Sequence, residues 1–195
     1  GDGGKETVVV ALRASRRQVV GTDAEREGDY ADEDVDLGDS RVLLGPRTLA
    51  KVLDALESQS DERVVDVACG LGYSTAVAAR VAQMVIGVEQ NEDMGRDAQD
   101  QLAEAGADNA IVHVGALAEG AAEHGPYDVI MIQGGVEDVP SALLEQLRDG
   151  GRIAAVFMTG ALGEVKIGHK TGGQVSWLSL IPIRRCRRNE RCRPW

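Results

Sequence analysis

The sequence predicts a doubly wound α/β domain, a mostly parallel sheet flanked by helices and closed by a C-terminal antiparallel hairpin. Three observations predict it. Short runs rich in Val and Ile alternate with helix-period segments from residue 46 to about residue 157. One run, VVDVACGLGYST from Val64 to Thr75, passes through Gly70 and Gly72 directly into an apolar-periodic segment, which reads as strand, glycine turn, helix. Beyond residue 157 two further runs meet at Thr171-Gly172-Gly173, a hairpin signal.

Each element follows from its local pattern. The acidic stretch 22–39 has no apolar period and reads as a loop. Pro46 opens a helix in which Leu49, Val52, Leu53 and Leu56 recur on one face. A strand is predicted over 63–67, then a helix over 74–83 with Ser74 or Thr75 as its cap. The run MVIGVE, 84–89, is a strand, and a polar helix over 92–105 is stopped by Gly106. Strand 111–114, a short helix over 117–123 and strand 127–132 come next. Pro140 starts a helix over 141–147, which the Asp149-Gly150-Gly151 turn ends before strand 152–157. Strands 164–169 and 174–181 form the hairpin. The expected organisation is an N-terminal segment 1–45 with its acidic loop, the α/β domain 46–183 and an Arg-rich tail 184–195.

Composition narrows the function classes. At 195 residues the chain is long enough for one domain with a full core; aromatics make up 3%, so Val, Ile, Leu and Ala must fill it. The formal net charge of -11 argues against general nucleic-acid binding, but the charge is uneven. Residues 22–39 carry nine acids (Asp23 to Asp39) against Arg26 alone, whereas the last twelve residues carry six arginines, Arg184 to Arg193. The expected partners follow from that split: a protein substrate or assembly partner met through the tail and the acidic segment, with RNA reachable through the tail only. Cys69, Cys186 and Cys192 make no disulfide framework and no zinc spacing, and Cys69 is expected to be a packing residue inside the turn. His113, His124 and His169 are far apart in sequence, so no metal is expected. Ser74 lacks a nucleophile elbow, which excludes hydrolase chemistry of that type. No apolar run is long enough to cross a membrane. A chain that opens on Gly1 is expected to be processed, truncated or incompletely read, and the expected compartment is the cytoplasm or the mitochondrial matrix.

The glycine turn is the predicted site. A dinucleotide fingerprint wants a third glycine where Thr75 stands, and Asp66 would repel a pyrophosphate. A carboxylate there suits a cation, and S-adenosylmethionine carries a sulfonium and an ammonium without phosphate. Glu89 ends the next strand 23 residues after Asp66, where an acid accepts from both ribose hydroxyls. Gln133, at the end of strand 127–132, points toward the same crevice, and Asp128 reads as a loop-end acid.

The order of these pieces resembles the protein-L-isoaspartate O-methyltransferase family from about residue 30 to 183. VVDVACGLGYSTAVAARVA is similar to that family's first motif and VIGVE to its ribose-binding strand end. GPYDVIMIQGGVEDVPSALLEQLRDGGRIAAVF is similar to its later strand, Pro-started helix and Gly-Gly turn, and YADEDVDLGDSRVLLGPRTLAKVLDAL to the segment before the core. The resemblance implies a Rossmann-like S-adenosylmethionine-dependent methyltransferase fold, with the cofactor held by Asp66, Ala68, Gly70, Gly72, Glu89, Gln90 and Ala116. It places Val42, Leu44 and Gln133 on the acceptor side. The family's threonine and serine, which line the isoaspartyl carboxylate site, are replaced here by Val42 and Leu44, with Gly45 for the usual glutamine and Ala116 for the aspartate that helps to hold adenine. The function expected is therefore methyl transfer with an altered acceptor site and no assigned catalytic residue. The alternative is a catalytically inactive subunit of a larger, mitochondrial assembly.

Overall fold

The computed structural model describes residues 35–38, 41–159 and 162–183. The seven-stranded sheet has the order β5-β4-β3-β6-β7-β8-β9, built from β3 (Arg63–Val67), β4 (Met84–Glu89), β5 (Ala110–Val114), β6 (Tyr127–Val136), β7 (Leu147–Thr159), β8 (Leu162–Thr171) and β9 (Gln174–Ile183). Strands β3 to β7 are parallel, and β8 and β9 add antiparallel at the edge. The predicted fold class therefore stands. After β5 the chain returns across β3 to lay down β6 on its other side, which makes the C-terminal ends of β3 and β6 the topological switch point, where open α/β sheets bind ligands. A separate two-stranded ribbon, β1 (Val35–Gly38) with β2 (Arg41–Leu43), precedes the sheet. The acidic stretch is thus not loop throughout, since its residues 35–38 pair as a strand.

Alternation along the strands decides which face each side chain occupies. Val64, Val85, Val129 and Met131 face one core, packed under helix α1 (Pro46–Leu56) and beside Leu102 of helix α3 (Glu92–Glu104). Val65, Val67, Ile86, Val88, Ile130 and Ile132 face the other, with Leu117, Tyr127 and Leu143. Leu143 comes from helix α4 (Ser141–Gln146). Helix α2 (Tyr73–Ala78) is buried at every residue, which its small side chains Ser74, Thr75, Ala76 and Ala78 permit.

Several predicted boundaries move, each for a local reason. Helix α2 ends at Ala78 rather than at residue 83 because Asn109 Nδ2 takes the carbonyls of Ala79 and Ala82 at 2.9 and 3.0 Å. Its N-cap is Gly72, with φ of 82°, and not Ser74 or Thr75. The helix expected over 117–123 is reduced to a 3₁₀ turn (Ala122–His124), because Gly120 adopts φ +63° and Ala121 is non-helical. The predicted turn at Asp149-Gly150-Gly151 is absorbed into β7 as an irregularity, with Tyr127 opposite Leu147 but Val129 opposite Arg152. The hairpin turn is as expected, with Gly172 and Gly173 at φ +61° and +79°.

Three predicted features fall on residues that are not described: most of the N-terminal segment, the Arg-rich tail with Cys186 and Cys192, and the side chain of Val42. Among the described residues no helix is long and apolar enough to cross a membrane.

Candidate functional site

Period-two alternation puts Asp66 on the face of Val64, Glu89 on that of Val85 and Gln133 on that of Met131. The predicted acids and the predicted glutamine therefore converge on one side of the sheet, at the C-terminal ends of three adjacent strands. All three are buried, Asp66 and Glu89 completely.

Asp66 is the hub. Its Oδ2 accepts from the hydroxyls of Ser74 and Thr75 at 2.6 and 2.7 Å, and its Oδ1 accepts from Gln133 Nε2 at 2.8 Å. Burial pushes its carboxyl above the ordinary 3.8, and the bonds from Ser74, Thr75 and Gln133 oppose that rise. Both of its oxygens accept from internal partners, so Asp66 clamps the start of α2 to the end of β6.

Glu89 braces the turn itself. Its carboxylate accepts the N–H of Gly70 at 2.9 Å and that of Asn91 at 3.0 Å. Between them the turn runs through three left-handed residues, Ala68 at φ +65°, Gly70 at +58° and Gly72 at +82°. A left-handed alanine is strained, and such strain collects where a backbone must meet a ligand. Gly87, which the sequence reading passed over, makes the turn possible from below. A Cβ there would stand 2.9 Å from Cys69 Sγ and 3.0 Å from Thr75 Oγ1. Its signal was present, a glycine between Ile86 and Val88 in an otherwise apolar strand. Cys69 is buried and packs here as expected.

Gln133 occupies an irregularity in β6. Met131 pairs with Ala154 but Gly135 with Val156, so three residues of β6 lie opposite Ala155 alone. Such bulges re-aim a side chain. With its Nε2 committed to Asp66, Gln133 Oε1 is buried without a hydrogen-bond partner. A buried acceptor left open costs about 1–3 kcal/mol unless something donates to it. Residues of β2, in the acceptor-side segment, contact β6, the strand that carries Gln133. Leu44, just after β2, is buried in the core cluster that also holds Val52, Val156 and Val165, and offers no hydroxyl. Gln90 and Ala116 are exposed beside the ends of β4 and β5. Asp128 stands at the opposite end of β6, where it accepts from Arg63 N and Arg148 and takes no part in the site.

Residues 3–176 match the profile of the protein-L-isoaspartate(D-aspartate) O-methyltransferase family. The chain belongs to this family. Among its relatives, protein-L-isoaspartate O-methyltransferase 2 of Pelobacter propionicus is 34% identical over 146 residues, 75% of this chain and 65% of that protein. The Methanoculleus marisnigri protein-L-isoaspartate O-methyltransferase is 33% identical over 78% of this chain and 69% of its own. The chain thus spans slightly less than two thirds of the Pelobacter relative's length. A solved protein-L-isoaspartate O-methyltransferase superposes with a TM-score of 0.72 at 20% identity, over 93% of this chain and 64% of that one. Another from Plasmodium falciparum, solved with S-adenosyl-L-homocysteine, gives 0.69 at 18% identity, over 92% and 96%. These superpositions show that the protein-L-isoaspartate O-methyltransferase fold is present here.

Two of the histidines dismissed on sequence spacing come together in space. His113, on β5, and His124, on the 3₁₀ turn, both approach Glu123. His169 is exposed on β8.

Proposed function

We propose that the protein is an S-adenosylmethionine-dependent methyltransferase of the protein-L-isoaspartate O-methyltransferase type, acting on a carboxylate through an altered acceptor site. The observation that carries this reading is the Glu89 carboxylate bonded to the Gly70 N–H of the glycine turn. The residues present fit the cofactor. The strained Ala68-to-Gly72 turn brings backbone close to a ligand, Glu89 stands where ribose hydroxyls donate, and the open Gln133 Oε1 suits an N–H donor such as an ammonium.

When bound, S-adenosylmethionine supplies an electrophilic methyl carbon on a sulfonium that leaves as a neutral thioether. An acceptor carboxylate is already a nucleophile, so no side chain must remove a proton and catalysis rests on positioning. Glu89 fixes the turn, while Asp66 locks β3, α2 and β6 into one unit through Ser74, Thr75 and Gln133. Leu44 gives the acceptor side an apolar wall that excludes water in place of the hydroxyls lost there.

The alternative of an inactive subunit draws no support from the relatives, whose names are those of enzymes. Their prokaryotic sources support the cytoplasm over the mitochondrial matrix. The Arg-rich tail and the acidic segment are proposed to contact a protein substrate. Methyl transfer to an isoaspartyl peptide tests the activity; binding of S-adenosyl-L-homocysteine without any transfer would leave the cofactor reading standing and overturn the acceptor.

A further inference from the structure

We propose that His113, Glu123 and His124 form a binding site for a borderline divalent transition-metal ion, zinc, nickel or copper, outside the cofactor crevice. Among the described residues this is the one set of three side chains whose ligand atoms converge, all within 4.8 Å of one another. His113 Nδ1 lies 3.1 Å and His124 Nε2 3.3 Å from the same Glu123 oxygen.

Those spacings suit an ion. A tetrahedral zinc with ligands at about 2.0–2.2 Å holds them about 3.3–3.5 Å apart, and two of the three edges already have nearly that length. The rings stand edge to face, with centroids 6.0 Å apart, so the histidines do not stack and both present a nitrogen to the shared oxygen. Two imidazoles and one carboxylate make a donor set of intermediate softness. Such a set favours zinc, nickel or copper over magnesium or calcium, which take oxygen ligands. Three protein ligands leave a fourth position for water or an outside ligand.

The fold prepares this arrangement in two places. His113 is placed by the parallel pairing of β5 with β4, opposite Val88. Its ring occupies space that a side chain at position 115 would take, since a Cβ on Gly115 would meet His113 Nε2 at 2.8 Å. Glu123 and His124 are carried by the 3₁₀ turn, which Tyr127 anchors by donating its hydroxyl to the Ala121 carbonyl at 2.7 Å. Both histidine side chains are about two-thirds buried, at 28% and 32% exposure, while Glu123 is free to adjust at 64%. A bound ion would fasten the turn to the end of β5, and the net charge of -11 favours cation accumulation around the chain.

The test uses the full chain with Cys186→Ser and Cys192→Ser, so that tail thiols bind nothing. Calorimetric titration with zinc chloride is expected to give one equivalent bound in the micromolar range, and titration with magnesium chloride no binding. His113→Ala and His124→Ala should each weaken zinc binding by at least about tenfold. Glu123→Gln, at an exposed position, should weaken it without disturbing the fold, and His169→Ala should leave it unchanged. Zinc-edge X-ray absorption should report two imidazole ligands. No zinc bound at millimolar concentration, or an affinity that survives all three substitutions, would overturn the proposal.

Discussion

Gln133 donates to Asp66 at 2.8 Å across 67 positions of sequence, and this bond joins the end of β6 to the strand that begins the glycine turn. It satisfies one oxygen of a fully buried carboxylate while leaving the other end of the amide open. Asp66→Ala strands the donors of Ser74, Thr75 and Gln133 at once, so it should cost at least about 1–3 kcal/mol of stability, read from urea unfolding. An unchanged unfolding midpoint would contradict the clamp.

Glu89→Gln addresses the crevice rather than the core. The substitution trades a charged acceptor for a neutral one opposite the Gly70 N–H. Hydrogen bonds to charged groups contribute about 1.5–3 kcal/mol, so affinity for S-adenosyl-L-homocysteine should fall by about ten- to a hundredfold. Equilibrium dialysis checks it; equal affinities would remove Glu89 from the cofactor site.

Gly87→Ala tests the space beneath the turn. The new Cβ would press on Cys69 Sγ at 2.9 Å, and overpacking of this kind costs about 1–3 kcal/mol. Adding Cys69→Ala should recover part of that loss. A double variant no more stable than Gly87→Ala would show that the contact with Thr75 dominates.

Arg152 holds Glu62 through two bonds, both of 2.7 Å, and its Nε donates to the Leu56 carbonyl at 2.8 Å, tying β7 to the end of α1. The Arg152 guanidinium keeps the Glu62 carboxyl below its ordinary 4.5. Because the folded value lies below the unfolded one, the pair's stabilisation is complete above the ordinary value and disappears as pH falls through the folded one. Chemical unfolding at neutral pH and in acid below the folded value should therefore show the loss caused by Arg152→Met shrinking in acid toward what its bonds to the Leu56 and Glu57 carbonyls alone contribute. Equal losses at both would contradict the ion pair.

Much of this was legible in the sequence because local chemistry and tertiary structure agree. The run from Val64 to Thr75 carries its strand period, its glycines and its buried small-residue helix in a dozen letters, and the bounds of β3 and β4 fall where predicted. What was not legible depends on partners distant in sequence. That Asp66 also accepts from Gln133, 67 residues on, has no local signal. The early end of α2 depends on Asn109, and the meeting of His113 with His124 depends on a strand end lying beside a 3₁₀ turn. Gly87 differs from these, since its place in an apolar strand was a readable signal of close approach.

Calorimetric titration of the full chain with S-adenosyl-L-homocysteine, beside its Glu89→Gln variant, tests cofactor binding at the glycine turn directly. Micromolar binding at one site per chain is expected, weakened at least about tenfold by the substitution. Absence of any binding heat at millimolar ligand would contradict it.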